Sequence, residues 1–166
     1  LALFRAEGFA DFTATPQALF NSLAPLVALP IVTALAQIAN GHAAGAATTL
    51  LGTIVALLTP LVVTEALARA FGAGERWLRF AVAYCWCQLA FSVVVVVFGG
   101  VTTLLTFLVF YGVALHWFLA RQGLGLSRGR ATLMVILTDL ATGVLFLGPQ
   151  LLALPAGAFQ ARILMP

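Results

Sequence analysis

The sequence predicts an all-α, polytopic membrane protein: a bundle of five transmembrane helices preceded by a short interfacial segment. Three observations carry that expectation. The 166 residues are 63% hydrophobic and only 8% charged, where a soluble domain carries about 25% charged residues and about 45–50% apolar ones. The formal charges leave two long gaps, from Asp11 to Glu65 and from Arg79 to Arg121. Each gap is long enough for two spans of roughly 20 residues and a tight turn. No soluble fold of this length could bury so much apolar surface, because small domains leave a large fraction of their surface exposed.

The elements follow in order along a single transmembrane domain, 1–166. Residues 1–16 space Phe4, Phe9 and Phe12 among charged side chains and read as a segment lying at the membrane surface. The first span is expected at about 17–39, where Thr15 is a natural N-cap and Pro16 suits the first helical position. The second runs from about 44 to 70, after the helix-ending sequence Asn40-Gly41-His42. The third covers about 76–98 and the fourth about 101–121, separated by Gly99-Gly100. The fifth follows Arg130, at about 130–153, and an outer tail occupies 154–166. Pro30, Pro60 and Pro149 interrupt the helices, and Pro60 is expected to kink the second.

Orientation comes from the arginines, which are the sole basic residues apart from two histidines. Arg5, Arg69, Arg76, Arg79, Arg121, Arg128 and Arg130 fall on one side of this topology and Arg162 on the other. The positive-inside rule then places the N-terminus in the cytoplasm and the C-terminus outside, across a bacterial inner membrane. Trp77 and Trp117 lie at the cytoplasmic interface in that arrangement. The A-x-A pattern within Thr33-Ala34-Leu35-Ala36-Gln37 would suit a signal-peptide cleavage site, but the segment is retained and is read as a span.

Most polar features have plain explanations. Cys85 and Cys87 flank Trp86 on the third helix and point about 200° apart, so they neither bridge nor share a metal. His42 sits in an outer turn and His116 about 22 Å deeper, so the two cannot ligate one haem. His116 reads as a hydrogen-bonded residue near the cytoplasmic interface. GLGLSRGR, at 123–130, has the glycines of a phosphate loop without a preceding strand or a lysine, and reads as a flexible connection. The net charge of +3 gathers into no nucleic-acid stripe. No cofactor is expected.

Two patterns are less easily dismissed. On the second helix, Gly41, Gly45, Thr49 and Thr53 form one row, and Ala44, Thr48, Gly52 and Ala56 form its neighbour. Small residues at this spacing let another helix approach closely, either from within the chain or from a partner subunit. On the fifth helix, Asp139 stands alone in an apolar run, about nine residues and roughly 14 Å from the cytoplasmic end. Gln88 and Tyr111 reach similar depth, so a midplane polar cluster of Asp139, Gln88 and Tyr111 is expected. An ionised Asp at a helix centre costs about 2.5–3.5 kcal/mol on insertion scales. The residue should therefore face protein, either as a neutral interhelical hydrogen-bonding group or as a proton or substrate site.

The aromatic, charged N-terminal segment leading into TPQALFNSLAPL, the opening RFAVAYCWCQ of the third helix and the closing ALHWFLARQGLGLS of the fourth resemble Yip1-type membrane proteins and uncharacterised bacterial five-span proteins similar to them. The resemblance covers most of the chain and implies a five-helix membrane fold with a cytoplasmic N-terminus. Eukaryotic members are associated with membrane trafficking; the long cytosolic N-terminal region that goes with that role is expected to be missing here. No catalytic residues come with the resemblance.

Short loops, small-residue ridges and few polar groups favour a non-enzymatic accessory subunit or assembly factor of a larger membrane complex. Such a protein would have membrane lipid and partner subunits, or further copies of itself, as its neighbours and would not bind nucleic acid. The alternative is a small transporter or channel subunit that uses Asp139, in keeping with its proline-interrupted helices. An intramembrane enzyme is disfavoured, since no nucleophile–base pair, paired carboxylates or metal set shares one depth.

Overall fold

The computed structural model describes residues 6–9, 12–98 and 102–152. Every regular element among them is helical: a 3-10 turn at Ala6–Phe9, then α1 (Pro16–Ala39), α2 (Ala43–Ala70), α3 (Gly74–Phe98), α4 (Thr102–Gly123) and α5 (Arg128–Leu152). Three of them are long and apolar enough to cross a membrane, over Pro16–Ala39, Gly45–Ala70 and Gly74–Val97.

The helix ends have local causes. Thr15 sits in an extended conformation, its Oγ1 accepts from the Ala18 N–H at 3.1 Å, and Pro16 follows in the first turn. One donor that a helix start leaves orphaned is thereby satisfied. Helices α1 and α2 end in the same way. Gly41 and Gly72 take φ of 84° and 75°, a left-handed conformation that costs glycine nothing. The next N–H reaches back over the last turn: His42 to the Gln37 carbonyl at 2.9 Å, and Ala73 to the Ala68 carbonyl at 2.8 Å. Each closes a Schellman motif. The Gly99-Gly100 turn lies outside the described residues.

Pair by pair, α3 packs on α4, α4 on α5, α5 on α2 and α2, more lightly, on α3. These contacts close a ring of four helices, and α1 lies against α2 and α3. The ring is packed unevenly along its length. Near the turns at 71–73 and 124–127 the core is dense: Ala68, Phe80, Ala81, Ala83, Cys85, Leu119, Ala120, Leu124, Ala131 and Met134 are all fully buried. Toward the other end of the bundle fewer described residues are buried, and large apolar side chains such as Val96, Phe107, Phe110 and Val144 are exposed. Apolar surface turned outward on every side is what lipid accommodates and water does not.

The dense end is also where the described arginines, Trp77 and Trp117 collect. Trp77 Nε1 donates to Thr64 Oγ1 at 3.3 Å, and Trp117 Nε1 to Thr132 Oγ1 at 3.0 Å. Arg76 donates to the Leu124 carbonyl and Arg130 to that of Phe71, tying each turn to the neighbouring helix pair. Arg121 lies over the Trp117 ring and Arg130 over that of Phe71. Arg69 pairs with Glu65 one turn earlier.

Two segments are packed more firmly than their sequences suggest. Before α1, described residues of the N-terminal segment reach the core. Phe9 is buried against Phe118, Gly123 and Phe80, and Phe12 also packs on the core. Gly123 makes this possible, since its missing side chain is the space that the Phe9 ring occupies. Nor is the glycine-rich connection after α4 loose. Leu124 and Leu126 are buried, Arg76 holds a carbonyl of the turn, and the Ser127 carbonyl accepts the Ala131 N–H at 2.9 Å to begin α5.

Candidate functional site: a hollow around His116 and Asp139

Above the dense end, the ring of four lines a partly open cavity of about 790 Å³. Each helix gives it one face at helical spacing. From α2 come Thr53, Ala56, Leu57 and Pro60; from α3, Tyr84, Cys87, Gln88 and Phe91. From α4 come Val109, Gly112, Val113, His116 and Leu119, and from α5, Asp139, Thr142 and Gly143. Steps of three and four residues keep a side chain on one face, so four separate stripes converge on one space.

The polar groups gather at its floor. His116 is buried, at 5% exposed, with its ring 5.3 Å from that of Tyr84 and 6.5 Å from that of Phe80. Its Nδ1 lies 3.4 Å from Asp139 Oδ1, while Nε2 has no hydrogen-bond partner. The Asp139 side chain is 47% exposed and lines the cavity. Thr138, beside it, is fully buried with its hydroxyl oxygen unpartnered. On α2, Pro60 has no N–H to give to the Ala56 carbonyl, and both residues line the same space.

Helix geometry explains why His116 and Asp139 meet. His116 is about two turns before the end of α4 at Gly123, and Asp139 about three turns after the start of α5 at Arg128. The helices are antiparallel neighbours, so the backbones are mismatched by one turn, roughly 5 Å. Side chains tilt toward the N-terminus of their own helix. His116 therefore leans away from the dense end and Asp139 toward it, and the two tilts close the gap.

The structure divides the expected cluster. Asp139 and Gln88 line the large cavity, but Tyr111 lines a second one of about 410 Å³ between α3 and α4, with Trp86, Cys87 and Leu108. The rows on α2 are also not a close helix contact within this chain. A side chain added at Gly41, Gly45 or Gly52 would meet nothing within 4 Å. Gly45, Thr48 and Thr49 are exposed and Gly52 is half-buried, whereas Thr53 and Ala56 form cavity wall. The Ala44 side chain lies outside those described. The buried residues of α2 are Thr59, Leu61, Thr64 and Ala68 toward the dense end and Ala46 at the other.

His116 is the residue that sequence reasoning left out of the polar cluster. Measuring its depth from the turn that it shares with α5, and including the opposed tilts, would have paired it with Asp139. Cys85 is buried in the core and Cys87 lines the cavity; both are free thiols.

Compared with family models, curated proteins and solved structures, the chain matches none.

Proposed function

We propose that the chain is a five-span protein of a bacterial inner membrane, N-terminus cytoplasmic, that binds and carries a small ligand at the His116–Asp139 pair. One observation carries the reading: a carboxylate and a buried imidazole meet at the floor of a largely apolar cavity of about 790 Å³. Ligand sites commonly have about 300–1,000 Å³, apolar walls and a few convergent polar groups. Ionisable residues within membrane spans face cavities or partners and mark substrate or proton paths. The support for five spans is that α4 and α5, with 22 and 25 residues, are roughly 33 and 37 Å long and complete the ring with α2 and α3. The support for the orientation is that Arg69, Arg76, Arg79, Arg121, Arg128 and Arg130 all fall near the dense end. The role is binding and carriage rather than catalysis.

Gly143 offers the test. It lines the cavity, and a side chain there would meet nothing within 4 Å. Gly143→Leu should project into the space from a Cβ that itself meets nothing and, inside a helix, stabilise by about 1 kcal/mol. Native mass spectrometry of protein purified in mild detergent should show a small-molecule adduct on the parent and none on a well-folded Gly143→Leu variant. A parent with no adduct, or an adduct equal in both, would refute the reading.

A second reading, an accessory subunit of a larger membrane complex, is favoured by the open small-residue face around Gly45 on α2. Such a face suits close approach by a helix of another chain. Partner chains in the same spectra, lost on Gly45→Leu, would support it.

A further inference from the structure

The cavity has a distinctive charge pattern. Among the residues lining it, Asp139 alone carries a formal charge, and no arginine contributes to its wall. The other titratable side chains facing it are His116 on α4 and Tyr84 and Cys87 on α3; α2 contributes none. An ionised Asp139 in this setting needs a counter-charge, since a bare carboxylate inside a membrane is costly. The nearest available is a proton. His116 and Asp139, 3.4 Å apart, can hold one between them, and the pair is then neutral whichever of the two carries it.

Anything that replaces the proton must also carry one positive charge. A metal ion is a poor fit, because among the described residues no three His, Cys, Asp or Glu side chains come together. The space is also far larger than a bare ion, and its walls are Leu57, Phe91, Val113 and Leu119. An apolar body would fill that volume. Tyr84 and Phe91 are among the lining residues, and aromatic rings attract a cation.

We infer that the cavity takes an organic monocation with an apolar body, in exchange for the one proton held by the His116–Asp139 pair. This rests on the reading of the cavity as a ligand site and names its ligand class. The balance is simple. The cation approaches the Asp139 carboxylate, the shared proton leaves to water, and the net charge of the site stays at zero. His116 then remains neutral, with its unpartnered Nε2 already buried.

The test uses tetraphenylphosphonium as the monocation and tetraphenylborate as the anion of matching shape, titrated calorimetrically into the whole chain in mild detergent. Repeating the titration in buffers of different ionisation enthalpy counts the protons released. Saturable binding of the phosphonium, with one proton released and affinity falling about tenfold per unit drop in pH while the pair holds its proton, supports the exchange. Asp139→Asn should weaken binding at least tenfold and abolish proton release. Should that variant not fold, the proton count on the parent and the loss of binding in Gly143→Leu still decide. Equal binding of the borate, phosphonium binding without proton release, or unchanged binding in Gly143→Leu would overturn the inference. A neutral adduct displaced by Gly143→Leu, with no phosphonium binding, would overturn it while leaving the ligand-site reading intact.

Discussion

Gly123→Ala probes how the N-terminal segment is held. A methyl group at this position would lie 2.8 Å from Cε1 and 3.0 Å from Cζ of Phe9, and 3.5 Å from Cβ of Phe80. Contacts under 3 Å force something to move. Phe80 is on α3 in the fully buried core, whereas Phe9 belongs to a four-residue 3-10 turn, so the Phe9 ring should be the part displaced. Losing a buried Phe costs about 1.5–3 kcal/mol. Replacing Gly by Ala near a helix end returns up to about 1 kcal/mol. The net loss should be about 1–2 kcal/mol, which for a domain of this size lowers the unfolding midpoint by about 2–8 °C. The displaced segment should also lose hydrogen-exchange protection at residues 6–9. A double-mutant cycle isolates the cause: with Phe9→Ala already present, Gly123→Ala should be neutral or stabilising, giving a coupling of about 1–2 kcal/mol. If the two substitutions simply add, Phe9 does not depend on the missing side chain and the reasoning fails.

Three other outcomes follow from the same geometry. Asp139→Leu leaves the buried His116 Nδ1 without its neighbour and should destabilise by about 1–3 kcal/mol in denaturant titrations, whereas Asp139→Asn retains an acceptor and should lose less than Leu; equal stability of the Leu variant and the parent would show that the 3.4 Å contact contributes nothing. Reporters fused after Gly125 and after Pro166 should report opposite sides of the membrane, and matching signals would mean that α5 does not cross and would exclude the five-span arrangement. Gly45→Leu and Gly52→Leu, where an added side chain meets nothing within 4 Å, should leave the folded chain intact and remove any associated partner or second copy; unchanged association would mark that face as lipid-facing.

What the sequence shows and hides divides along physical lines. Thr15-Pro16 and Asn40-Gly41 act through their own backbones, so the α1 cap and the turn after it were legible without any tertiary information. Asp139 was legible as an exception, because one carboxylate in an apolar run must be compensated somewhere. Its partner was not legible, since His116 sits at a backbone height one turn away and only the opposed tilts of antiparallel helices join them. The small-residue rows on α2 misled for a more basic reason. Gly, Ala and Thr at every fourth position permit a neighbouring helix to close in, but they equally leave space if it does not. Which occurs depends on the bulky residues elsewhere. Here the bulky core residues Phe80, Phe118 and Met134 pack together toward the dense end, while a Cβ at Gly45 or Gly52 would meet nothing within 4 Å.

That uneven packing bears on how a carrier could work. Phe80, Leu119, Leu124 and Met134 are fully buried and lie between the His116–Asp139 pair and the arginine-rich turns. The cavity extends from the pair in the other direction, along residues such as Thr53, Phe91, Val109 and Gly143. A ligand or proton at the pair thus faces a dense plug on one side and open volume on the other. Carriage across the membrane requires a second arrangement in which the plug parts, and packed cores change by switching between discrete arrangements rather than by stretching. The lightest contact in the ring is that between α2 and α3. It is bridged at the plug by the Trp77–Thr64 hydrogen bond and covered by α1, which packs on both helices. The seam between α2 and α3 is therefore where an opening would disrupt the least packing, and the prolines of α1 and α2, Pro25, Pro30 and Pro60, place weakened backbone hydrogen bonding along that same seam.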